Sequence, residues 1–191
     1  MDTKKKVLWT RKTAVILVLA VVLIAGAHYL SNRYAVFFTT GIKCLPYDVW
    51  LVKKTEPVGR GDYVAFRAKA IRHIPDGVRM VKVAYGIAGD KILTARYPEN
   101  LYETITADVD GMEVTRQVKG QVFVYPKDGS VERFKVVTHG VAGTELPFAI
   151  QDGVIENGRY FVATSFEFSY DSRYWGLVDQ SMVIGRAYPL L

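Results

Sequence analysis

The sequence predicts a mainly β domain carried behind one membrane-spanning helix. An uncharged apolar run lies near the N-terminus, and after it come short runs rich in Val, Tyr and Phe, separated by turns containing Gly and Pro. The middle of the chain, roughly Lys91 to Asn157, contains no long helical periodicity. With 191 residues, half of them hydrophobic, the chain is long enough to bury a real core, and its composition excludes a disordered protein.

The apolar run, Thr13 to Leu30, reads TAVILVLAVVLIAGAHYL and carries no Asp, Glu, Lys or Arg. It is close to the ~20 residues that a helix needs to cross a bilayer. Lys4, Lys5, Lys6, Arg11 and Lys12 precede it, so the positive-inside rule keeps the N-terminus cytoplasmic and exports the chain beyond the run. The expected organisation is a basic tail at 1–12, a span at 13–31 and an exported domain at 32–191. The net charge of +6 is otherwise dispersed, which points to a membrane and away from nucleic acid. The alternative is a cleaved secretory signal, because Ala25-Gly26-Ala27 resembles a small-x-small cleavage site.

After the span, YAVFFTTGIKCLPYDVWLVKK places two β-rich runs around a break at Gly41 to Pro46. The break holds the only cysteine, Cys44, which has no internal disulfide partner. Cys44 is therefore either buried and inert or exposed for a purpose. Next, KKTEPVGRGDYVAFRA has a turn with Pro57, Gly59 and Gly61, then a strand at Tyr63 to Phe66 that reads as one arm of a hairpin. In RHIPDGVRMVKVAYGIAGDKILTARY, Lys82 interrupts an apolar strand, Met80 to Tyr85, before the turn GIAGD. By alternation Lys82 faces water; buried, it would favour the neutral amine and become a general base. His73 and His139 lack metal-ligand spacing and no phosphate-binding glycine loop is present, so no metal or cofactor is expected.

From Lys91 to Asn157 short β-rich runs (Glu113 to Val118, Gln121 to Tyr125, Val131 to Val137) alternate with turns, and we read 91–157 as a β-subdomain inserted between two parts of one core. The last segment, Gly158 to Ala187, holds the densest run of small polar and aromatic residues, SYDSRYWG at Ser169 to Gly176. It is either a surface turn in which Asp171 and Arg173 form a weak exposed pair, or part of a site.

In this order, CLPYDVWLV, GRGDYVAF, MVKVAYGIAGD and SYDSRYWGLVDQSMVIGRA resemble the successive motifs of bacterial type I signal peptidases. The final box is the most specific of them. The small size, single anchor and short CLPY segment are more similar to the conjugative-transfer branch, which processes pilin precursors, than to the larger housekeeping enzyme. The resemblance implies a signal-peptidase-like β-fold with Cys44 as nucleophile and Lys82 as general base. It implies that Ser169 orients the lysine amine, that Asp171 and Arg173 form a buried supporting pair, and that Asp62 and Asp90 anchor turns. The sequence departs from the family in two places: Cys44 stands where the family has serine, and Ile42 stands where the housekeeping enzyme has a hydroxyl that helps bind the oxyanion. With Ile42 lacking a donor, the oxyanion hole falls to backbone N–H groups, the Cys44 amide first among them. A thiol, with a free pKa of about 8.5, is readily activated by a neighbouring amine.

The function these implications describe is a membrane-anchored endopeptidase of the bacterial inner membrane, its active domain in the periplasm. Its partners are the lipid bilayer, an exported precursor such as propilin, and mating-pair or secretion components, with no nucleic acid. The runs Ala35 to Phe38 and Val49 to Val52 either line a groove for an extended peptide or are ordinary core. The alternative function is a catalytically inactive domain of the same fold in a conjugation or secretion apparatus. A self-cleaving repressor-type protein would share the fold and dyad, but the membrane segment argues against it.

Overall fold

The computed structural model describes residues 3–39, 44–101 and 103–191, with side chains from Arg11 onward. Helix α1 runs from Thr3 to Arg33, and within it Arg11–Arg33 is long and apolar enough to cross a membrane. The helix starts well before the expected span because the basic tail contains no Gly or Pro and is rich in lysine, a good helix former. Its apolar side chains from Val15 to Ile24 are exposed on all sides, the pattern of a helix whose solvent is lipid. It forms one compact unit, and residues 36–191 form another.

The second unit is built from strands. In chain order they are β1 (Tyr34–Phe38), β2 (Val49–Lys53), β3 (Tyr63–Arg67), β4 (Arg79–Gly86), β5 (Lys91–Arg96), β6 (Glu103–Val109), β7 (Met112–Tyr125) and β8 (Glu132–Val137). There follow β9 (Gly153–Val154), β10 (Arg159–Ala163), the one-turn helix α2 (Ser172–Trp175), β11 (Val178–Asp179), a 3-10 turn (Gln180–Met182) and β12 (Val183–Pro189). One sheet has the order β1-β2-β12-β3-β4-β10-β11; the other is β6-β7-β5-β9, with β8 also paired to β7.

The chain leaves the first sheet after β4 and returns to it at β10, which pairs antiparallel with β4. Everything between the two strands builds the second sheet, so a long excursion leaves the first sheet's hydrogen bonding continuous. Side chains on one face of the first sheet (Val64, Phe66, Ala84, Val162) form a small apolar cluster. A larger one joins the second sheet to the last segment through Phe134, Phe161, Phe168 and Tyr174. At Gly86 the packing between them is so close that a Cβ would meet Ile155 Cδ1 at 2.6 Å and Phe161 Cβ at 2.9 Å.

One expectation in this region is corrected. The two runs Glu113 to Val118 and Gln121 to Tyr125 are a single strand, β7, of 14 residues. The Lys119-Gly120 break is absorbed by a register shift against β8 between Val118 and Gly120. Gly120 is required there, since any side chain would collide with the Ala95 carbonyl and the Phe148 ring.

Candidate active site

Lys82 sits in mid-strand on β4, flanked by β3 on one side and β10 on the other, with Val64 directly opposite it on β3. Alternation put Lys82 on a face open to water, but that face is covered: Lys82 is 6% exposed and shares it with the apolar cluster of Val64, Ala84 and Val162. A period-two pattern reports a face of the sheet, and β4 is covered on both. The Lys82 amine donates to Ser169 Oγ at 2.7 Å, and Ser169 is fully buried.

Ser169 is held in turn by the box it begins. Its N–H donates to the Phe166 carbonyl at 3.1 Å, and its own carbonyl accepts from Arg173 Nη2 at 2.9 Å. Arg173 grips the Asp171 carboxylate with two prongs, Nε to Oδ1 at 2.8 Å and Nη2 to Oδ2 at 2.7 Å. The same guanidinium donates to the carbonyls of Phe166 and Glu167 at 3.2 Å and of Lys135 on β8 at 3.0 Å. Both members of the pair are at most 1% exposed, so the exposed-turn reading does not apply. Burial works against the Arg173 charge, but the Asp171 carboxylate beside it outweighs that and holds the guanidinium above its ordinary pKa. Asp171 also caps α2 by accepting from the Arg173 N–H, and Ser172 Oγ accepts from the Val162 N–H of β10 at 3.0 Å. Burial pushes the Tyr174 phenol up to about 12, and its oxygen accepts from the Val137 N–H of β8. SYDSRYWG thus pins the first sheet to the second while presenting Ser169 to Lys82.

Cys44 is half-buried and lines a cleft of about 360 Å³ together with Lys82. The connection carrying it is fastened at its stem, where the Thr39 N–H donates to the Asp48 carbonyl at 3.0 Å and the Asp48 N–H donates to the Leu191 carbonyl at 2.9 Å. Ile42, expected to leave the oxyanion hole short of a donor, lies outside the described residues. The cleft walls are mostly apolar, formed by Phe38, Leu45, Ile74, Met80, Phe168 and Tyr170 among others. Of the two runs read as either groove or core, Phe38 lines the cleft, while Trp50, Val52 and Phe37 are core. Strand alternation sends every second residue of those runs inward. Tyr170 carries no signal of its own in the sequence: its ring stacks on Tyr174 and its hydroxyl donates to the Arg72 carbonyl at 2.8 Å, tying the box to the loop that carries Ile74.

The other two acids fasten turns. Asp62 accepts from the Gly59 N–H at 2.8 Å and pairs with Arg186 at 2.7 Å. Asp90, 1% exposed, accepts from the Ile87 N–H at 2.8 Å and takes both Arg60 nitrogens in a bidentate pair. Burial favours its neutral form, but the Arg60 hydrogen bonds and the Ile87 N–H prevail and hold the Asp90 carboxyl below its usual range. The GRGD and GIAGD turns are therefore clamped together by Arg60, whose role was not legible from either turn alone.

A family model described as signal peptidase, peptidase S26, matches residues 6–190. The chain belongs to the signal peptidase S26 family. The match runs from the apolar helix to the last strand and so covers both sheets and every residue of the cleft. This signal peptidase is accordingly a protease, a hydrolase of peptide bonds, and its N-terminal apolar helix is compatible with a single-pass membrane anchor. A search of curated proteins returned no match.

Proposed function

We propose that this signal peptidase cleaves exported precursors at the membrane with Cys44 as nucleophile and Lys82 as general base. The observation that carries the reading is that both side chains line one cleft while the Lys82 amine is buried against Ser169 Oγ. As general base, Lys82 takes the Cys44 thiol proton, and the thiolate forms a C–S bond to the scissile carbonyl carbon. The resulting oxyanion is met by backbone N–H groups, the Cys44 amide among them. Collapse breaks the C–N bond, and the Lys82 ammonium returns its proton to the leaving amine. Lys82 then takes a proton from a water whose oxygen bonds to the thioester carbon; the C–S bond breaks, the sulfur recovers that proton from the Lys82 ammonium, and the fragment leaves as a carboxylic acid that ionises in solvent. Ser169 orients the amine throughout, while Asp171 and Arg173 hold Ser169 from behind.

Propilin of a conjugation system is the proposed precursor, on the strength of the short CLPY segment beginning at Cys44. The lipid bilayer and mating-pair or secretion components complete its partners. In the proposed placement residues 1–12 are cytoplasmic, 13–31 span the inner membrane and 32–191 form the periplasmic catalytic domain, with 91–157 as its inserted β-subdomain. The basic cluster ahead of the span supports the orientation, and the β4–β10 pairing across the excursion supports the insertion. The test is to incubate detergent-solubilised protein with its propilin and compare Cys44→Ala and Lys82→Ala. Cleavage lost in both variants is the expected result; equal processing by all three proteins would remove the dyad.

A further inference from the structure

Thr164 is the residue after β10, is 1% exposed, and its Oγ1 makes no hydrogen bond to any described residue. Buried hydroxyls in native proteins are nearly always paired, so this one calls for a partner that the resting arrangement does not supply. The strand register indicates which. On β10 and β4, Val162 stands opposite Ala84 and Ala163 opposite Val83. Continued by one residue, that register sets Thr164 opposite Lys82. Residues opposite one another in an antiparallel pair project to the same face, and Val162 and Ala84 already share the apolar cluster on the Lys82 face.

We propose that Thr164 is a positioning residue for Lys82, its hydroxyl accepting a hydrogen bond from the ammonium that forms when Lys82 takes the Cys44 proton. The proposal rests on the reading of Lys82 as general base. A lysine ammonium has three N–H donors, and in this pocket Ser169 Oγ accepts one. The proton transfer turns thiol plus amine into thiolate plus ammonium and leaves two further donors, one directed to the sulfur. The second meets the Thr164 oxygen, already desolvated and unoccupied. A neutral amine demands less of the pocket, which fits a hydroxyl that is free in the resting state and engaged once the charge appears.

Several titratable or charged groups share the cleft with Lys82. They are Cys44, Tyr47 and Asp48 from the β1–β2 connection, Arg79 on β4 itself, and Tyr170 from the last segment; Val64 on β3 and Val162 on β10 are neutral. All of them remain in place when Thr164 is replaced by valine, which keeps the shape and removes the hydroxyl.

The experiment is a side-chain NMR titration of Lys82 in full-length, lysine-labelled protein in detergent micelles, its signal assigned by its loss in Lys82→Met. Removing an acceptor from the charged form disfavours that form, so Thr164→Val is expected to move the Lys82 midpoint below that of the wild type. Thr164→Ser is expected to restore it, and Thr164→Ala, a second hydroxyl-free variant, to reproduce the fall. With propilin as substrate, Thr164→Val should reduce kcat about tenfold with KM little changed. Midpoints that coincide in wild type, Thr164→Val and Thr164→Ala would overturn the proposal, as would a fall in Thr164→Ser equal to that in Thr164→Val. Cleavage retained in Lys82→Met would instead overturn Lys82 as general base, and the NMR midpoints would still decide whether Thr164 holds its ammonium.

Discussion

The Lys82 amine and Ser169 Oγ lie 2.7 Å apart, joined by a hydrogen bond between residues 87 positions apart in the chain. Ser169 has no freedom to drift, because Arg173 and Phe166 hold its carbonyl and its N–H. We expect Ser169→Ala to fold normally and to cleave propilin about 10–100-fold more slowly, the range expected for losing a hydrogen bond to a group that becomes charged. Steady-state kinetics with a melting curve checks this; an unchanged kcat would separate Ser169 from the chemistry.

The Asp171–Arg173 pair is buried completely and satisfied by four carbonyls in addition to the carboxylate. Replacing Asp171 by Ala strands a buried guanidinium, and we expect a loss of roughly 3–5 kcal/mol in denaturant unfolding. Asp171→Asn keeps one acceptor and should lose less. A variant as stable as wild type would show that the pair does not brace the box.

Asp90 supplies a pH dependence whose sign is fixed. Its carboxyl is held below the ordinary range in the folded state, so the unfolded chain binds the proton more readily. The Arg60–Asp90 clamp therefore contributes full stability above the unfolded value of about 3.9 and loses it as the pH falls towards the folded value. Urea unfolding between pH 7 and 3 should show this acid loss, and Asp90→Asn should flatten that part of the curve while lowering stability at neutral pH. A wild-type curve parallel to that of Asp90→Asn would contradict the assignment.

The apolar helix makes a prediction by mass. As a retained anchor, α1 leaves the membrane-extracted protein with its residues 3–33 intact, whereas a chain beginning near His28 would identify a removed signal. Intact-mass spectrometry of the protein from membranes distinguishes the two.

Much of this was legible in the sequence because the informative residues are local. The apolar helix is a composition signal, the hairpins are marked by Gly and Pro, and the SYDSRYWG box is contiguous. Burial was harder to read. Lys82 looked as much like a solvated strand residue as a buried base, because alternation does not say whether a second layer covers the face it assigns. The roles of Arg60 and Tyr170 depend on partners 30 and 98 positions away, for which no local pattern exists. The continuity of β7 was missed for a related reason: the Lys119-Gly120 dipeptide reads as a break, and only its neighbours on β5 and β8 make it a bulge inside one strand.

The central claim is that a Cys44 thiolate attacks the precursor after Lys82 removes its proton. It is tested most directly by mixing excess protein with propilin, quenching in acid and measuring intact mass. The account predicts a transient thioester species, heavier than the protein by the N-terminal fragment of the precursor less one water, that is absent in Cys44→Ala and does not accumulate in Lys82→Ala. Product formed by Cys44→Ala at the wild-type rate, with no such adduct in the wild type, would contradict it.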